Sequence, residues 1–134
     1  MDDIEYPTED EIREFHDGII ASDPDADPGI ESPGGIETAL VYISDGFFGE
    51  GPESVHEKAA HLARLITINH VFVDGNKRTA TNAAETFYTM NGYEFATDEL
   101  WEQILVAYGC NGDAVRDDKV VDYCRKHAIG GGEK

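Results

Sequence analysis

The sequence predicts an all-α protein, a compact bundle of about six helices, and three observations carry that prediction. Two segments open on the Ser/Thr-x-x-Glu pattern of a capping box, Thr8 with Glu11 and Ser54 with Glu57. Behind both, apolar residues recur every third or fourth position, the period of a helix with one buried face. No stretch alternates apolar and polar residues for long enough to compete as a strand.

Along the chain, the first helix follows Thr8 and sets Ile12, Phe15, His16, Ile19 and Ile20 on one face. Residues 22–35 hold three of the five prolines and read as a loop, a length that in compact domains is usually functional or disordered. Ile36, Leu40, Ile43 and Phe47 mark a second helix that ends in the glycines between Gly46 and Gly51. Val55, Ala59, Leu62, Ala63 and Ile66 give a third, which runs into His70. A fourth starts at Asn76, a good N-cap that can cap the helix or hold the loop, with Ala80, Ala83, Ala84 and Phe87 on its face, and stops at Asn91-Gly92. Tyr93-Glu-Phe95 is a short extended piece. Thr97 or Asp98 caps a fifth helix through Tyr108, with Leu100 and Ile104 inward. Asp113 opens a sixth that includes Val120, Val121 and Cys124, and the chain frays from about residue 129.

Composition bounds the function. At 134 residues and 40% hydrophobic, one domain spanning 1–134 with its own core is expected. A formal charge of −18, from 28 acids and ten Lys and Arg, leaves no basic stripe for nucleic acid and no attraction to anionic membranes. The acids are dispersed over every segment and only five lysines occur, a balance that suits a halophilic source. Met1-Asp-Asp-Ile-Glu lacks the regions of a signal peptide and no apolar run reaches a membrane span, so a cytoplasmic protein is expected. Cys110 and Cys124 are too few and too ordinary in spacing for a disulfide framework or a zinc site and read as reduced, partly buried thiols.

The chemistry concentrates in His70-Val-Phe-Val-Asp74-Gly75-Asn76-Lys77-Arg78. A base, a carboxylate, a residue without a side chain and two cations at a helix start are the parts of a phosphate-handling site. Cations in a first helical turn oppose the positive end of the macrodipole, at about 0.3–1 kcal/mol each, and an anion held between them and the free N–H groups reverses that penalty. His70 can take the proton of an attacking hydroxyl; an isolated histidine at a helix end is as readily a surface or capping residue. Asp74 is a hard oxygen ligand of the kind Mg2+ uses, or a plain turn residue before Gly75. Phe72 and Val73 point inward and anchor the loop. His16, His56, His61 and His127 read as helix-face or solvent residues. Asp23-Pro-Asp25-Ala-Asp27-Pro-Gly29 partly matches a calcium loop, but the glycine falls one place late and position twelve is Gly34, which excludes an EF-hand.

Read as HxFxDGNKRTA, His70 to Ala80 resembles the signature of the Fic/Doc superfamily, in the form with Lys after Asn that marks the Doc, or death-on-curing, toxins. Pro28 to Leu40 is similar to the Doc segment GIRDPGLLESAL, and Ala59 to Asn69 to the helix that leads into the motif, so the resemblance covers about Thr8 to Phe95. It implies the Fic/Doc helical bundle and an ATP-dependent transferase, with His70 as general base, Asp74 on Mg2+, and Gly75, Asn76, Lys77 and Arg78 on the nucleotide phosphates. The reaction it implies is transfer of a phosphoryl group from ATP to a Ser or Thr hydroxyl of a protein; the known target in the family is elongation factor Tu. Fic-like transfer of AMP and a catalytically silent binding module are the alternatives. No Ser/Thr-x-x-x-Glu-Gly/Asn self-inhibitory pattern occurs, so restraint is expected from a separate antitoxin. Two departures stand out: Val71 replaces the proline common after the motif histidine, and Glu31-Ser32 stands where Doc proteins commonly carry Arg-Asp, beside the cleft where a target docks.

Overall fold

Both capping boxes form in the computed structural model, which describes residues 3–130. The Thr8 hydroxyl accepts from Glu11 N–H and the Glu11 carboxylate from Thr8 N–H, opening α1 (Glu9–Ala21). Ser54 and Glu57 repeat the arrangement for α3 (Val55–Ile68). The other helices are α2 (Gly35–Ser44), α4 (Asn76–Met90), α5 (Glu99–Asn111) and α6 (Asp117–His127), so the expected all-α fold is found. Two short strands, β1 (Tyr93–Phe95) and β2 (Ala128–Gly130), add an antiparallel pair with Glu94 opposite Ile129.

The bundle is organised around α3, which packs against α4, α6, α2 and α5. Its apolar stripe is buried on more than one side, through Ala59, Ala60, Leu62, Ala63 and Ile66. Facing α4 buries Ala80, Ala83 and Ala84 completely. Small residues on both helices let the two backbones approach, so the start of α4, where the motif sits, is held by a close and extensive contact. Lys58 of α3 is buried, donates from Nζ to the Ile43 carbonyl in the last turn of α2, and lies over the Tyr6 ring at 5.4 Å from its centroid. A cation there favours the negative end of the α2 dipole.

The structure corrects several boundaries. Helix α2 stops at Ser44 because Gly46, at φ +75°, leaves the helix; Phe47 is then exposed in a tight turn, bridged to Glu50 and packed on Tyr42. Asp98 caps α5, but Trp101, Leu105 and Tyr108 face the core, while Leu100 is 52% exposed. The large aromatics decide the face: the Trp101 indole N–H donates to Thr81 Oγ1 and the Tyr108 hydroxyl to Asp117. Helix α5 continues to Asn111, a 3-10 turn spans Gly112–Ala114, and α6 starts at Asp117 rather than Asp113. The chain does not fray from residue 129, since Ala128–Gly130 pairs with β1; residues 131–134 of the expected tail lie outside the described residues. Cys110 is exposed and Cys124 buried, its thiol pushed up to about 12 by desolvation. No helix among the described residues is long and apolar enough to cross a membrane.

Candidate active site

The site is built on the turn between α3 and α4. Past the end of α3, His70 sits at φ +46°, with its N–H donating to the Thr67 carbonyl, so its exposed side chain leaves the helix axis while the chain reverses. Val71 and Phe72 then dive into the core, 2% and 1% exposed. Phe72 anchors the loop as expected; Val73, 46% exposed, does not. The long loop lies alongside: Glu31 N–H and Ser32 N–H both donate to the Val71 carbonyl, and Val73 N–H donates to the Gly29 carbonyl, so Val71 leaves the turn well tied.

Asn76 does not cap α4 with its side chain. Gly75 holds the N-cap position at φ +86°, and the Asn76 amide accepts from Phe72 N–H at 2.9 Å and donates to the Phe72 carbonyl at 2.7 Å. A carboxamide has both a donor and an acceptor, so it closes both ends of one residue's backbone, which a carboxylate, an acceptor only, cannot do. The Asp74 carboxylate is tied by Oδ2 to the Asp27 N–H at 2.8 Å. Arg78 reaches Asp23 at 3.5 Å, both side chains about half exposed.

His16 is a correction. It is 2% exposed, its ring stacks on Phe72 with centroids 3.6 Å apart and planes 8° from parallel, and its Nε2 lies 2.8 Å from the Asp74 carbonyl oxygen. The remaining histidines keep to helix faces: His56 meets the Tyr88 hydroxyl, His61 accepts from Arg64, and His127 stacks on Tyr123.

Three clefts converge on the start of α4, and Lys77 lines all of them. One, of about 260 Å3, brings His70 together with Asp74, Gly75, Asn76 and Lys77, against an α5 wall that includes Leu105 and Cys110. A second, of about 360 Å3, holds Asp74 to Arg78 with Asp23 and Asp25 of the loop. The third, of about 430 Å3, runs from Lys77 and Arg78 to Trp101 and Leu105 and has the most apolar wall. Arg78 therefore lies outside the lining of the His70 cleft and shares the other two clefts with Lys77.

A sequence profile of the Fic/DOC family matches residues 6–88. The chain belongs to the Fic/DOC family. The toxin Doc of Mycolicibacterium smegmatis (strain ATCC 700084 / mc(2)155) is 52% identical over 60 residues, which is 45% of this chain and 42% of that protein's length. Within the Fic/DOC framework, the residues that sequence reasoning missed are His16, Asp23, Asp25 and Asp27, together with the α5 wall. The acids had one signal, the unusual length of the 22–35 loop. His16 also had one, its place on the apolar face with Ile12 and Ile19.

The site also has room for a metal in one respect only. Among the described residues no three His, Cys, Asp or Glu side chains converge as a cage. Mg2+ does not need one, since it takes one or two carboxylates and completes its shell with water and phosphate oxygens. Asp74, on the shared border of two clefts, fits that donor set.

Proposed function

We propose that the protein is a Doc-like toxin of a toxin-antitoxin system that transfers a phosphoryl group from ATP to a Ser or Thr hydroxyl of a protein, with a translation factor such as elongation factor Tu as the class of target and a separate antitoxin as its restraint. The observation that carries the reading is the shared cleft: His70, Asp74, Gly75, Asn76 and Lys77 line one space at the N-terminus of a long helix. In the step, the hydroxyl oxygen forms a bond to the γ-phosphorus while His70 takes its proton. The bond from the γ-phosphorus to the bridging oxygen breaks, and ADP leaves. The first N–H groups of α4, with Lys77 and Arg78, hold phosphate oxygens and stabilise the charge that moves between them. Asp74 would hold Mg2+, which would neutralise charge between adjacent phosphates. Arg78 must leave Asp23 to bind phosphate, a small cost for a half-exposed pair.

Lys77 supports phosphoryl rather than AMP transfer. Where a glycine would leave room for the α-phosphate against the helix start, a long cationic chain fills space and adds charge, which favours a nucleotide bound with its γ-phosphate toward the base. Parallel reactions with γ-labelled and α-labelled ATP, read by intact mass of the modified target, test this. The expected product gains a phosphate, and His70→Ala lowers the rate by roughly two to four orders of magnitude at unchanged circular dichroism. Label from the α position in the product would overturn phosphoryl transfer in favour of AMP transfer.

A further inference from the structure

We propose that His16, which lies outside the motif, is a positioning residue that orients the Asp74–Gly75 peptide so that its N–H faces the phosphate clefts. The consequence for nucleotide binding rests on the function proposed above; the orientation rests on geometry alone. A trans peptide unit is planar, and its C=O and N–H point to opposite sides. The His16 Nε2 lies 2.8 Å from the Asp74 carbonyl oxygen. A carbonyl only accepts, so Nε2 carries a proton in this bond. With the C=O drawn back toward α1, the Gly75 N–H turns the other way, to the clefts that Asp74, Gly75, Asn76 and Lys77 line. Among the described residues no acceptor takes that N–H.

A holder is needed because the next residue is glycine. Gly75 stands at φ +86°, and glycine leaves a peptide free to rotate between orientations that other residues forbid. The imidazole itself cannot drift. Phe72 stacks on one face at 3.6 Å, and Gly75 approaches so closely that a Cβ there would come within 3.3 Å of His16 Cδ2 and 3.5 Å of Nε2. The ring is thus wedged behind the turn, buried and aimed at one carbonyl. It sits 58 residues away in sequence from the peptide that it sets.

Two substitutions separate this role from core packing. His16→Phe keeps the stack on Phe72 and removes the donor; His16→Gln restores an amide donor without the ring. The Gly75 amide resonance is expected to move in His16→Phe and to return toward its parent position in His16→Gln. Affinity for ATP with magnesium, by calorimetric titration, is expected to fall about tenfold in the first, the loss of one charge-assisted hydrogen bond to phosphate, and to recover in the second. In the parent, nitrogen NMR of the His16 ring is expected to show Nε2 protonated. A bare Nε2 overturns the proposal, as does a folded His16→Phe variant whose Gly75 resonance is unchanged. If His16→Phe does not fold, the ring protonation and His16→Gln still decide. If the parent binds no ATP, the phosphoryl-transfer reading fails, while the Gly75 resonance still reports the orientation.

Discussion

Replacing Gly75 by alanine tests a backbone requirement and a steric one together. An L-residue at φ +86° costs about 1–2 kcal/mol, and the added methyl would press on His16 at 3.3 Å. Gly75→Ala is therefore expected to lower stability in urea by about that amount and to weaken ATP binding in the same protein. Unchanged stability would show that the turn adopts another conformation without cost. The motif was legible because its parts are neighbours in sequence: His70, Asp74, Gly75, Asn76, Lys77 and Arg78 could be assigned chemistry before any contact was known. The roles of its partners were not. His16 reaches the Asp74 carbonyl across 58 residues, the Asp27 N–H reaches the Asp74 carboxylate across 47, and no local pattern encodes such meetings. Of the two roles that the sequence leaves open to Asn76, capping the helix with its side chain or holding the loop, only the second is found, because its amide is claimed by the Phe72 backbone.

Helix α3 carries a pH dependence that its own packing produces. His56 lies against Tyr88 and Tyr93, and its pKa is lowered from the ordinary 6.5 by desolvation and then by Arg125. Desolvation, then Arg64, lowers that of His61, against smaller opposing effects of Asp117 and Glu57. Below pH 6.5 the unfolded chain binds more protons at these two positions than the folded one, so stability is full above that value and is lost as pH falls through their folded values. Melting temperatures measured from pH 8 down to 5 should decline, and His56→Gln with His61→Gln should flatten the decline; an equal slope in the double variant would place its origin elsewhere. Elements with two independent signals, such as α1 and α3 with their capping boxes and stripes, were read correctly from sequence. On helix α5 the inward reading holds for Ile104, which packs against the core, and fails for Leu100, because Trp101, Leu105 and Tyr108 fill the buried face and only the packed core shows which residues have space. Strand β2 could not be read at all, since three residues have no period and become a strand only by pairing with β1.

Charge acts on the molecule as a whole. With 28 acids against ten Lys and Arg, and with the ion pairs among the described residues all at least partly exposed, self-repulsion in dilute buffer is relieved mainly by screening. The melting temperature is expected to rise from low to molar potassium chloride; a flat or falling curve would show that the composition has another cause. Binding of a small partner to the native state would add to the same stabilisation. The pairing at the end of α4 has a further consequence. Asn91 grips the Glu5 backbone from both sides, accepting its N–H and donating to its carbonyl, and two residues later Tyr93 takes Gly130 as its strand partner. Topologically the described chain is close to a closed ring. A circular permutant that joins the two ends through a short glycine linker and opens the ring at the exposed Phe48-Gly49 turn should fold and melt cooperatively, because the new break cuts no helix and no buried hydrogen bond. Loss of cooperative melting in that permutant would mean that the order in which α1 and α2 enter the bundle matters to folding, beyond the contacts that they make once there.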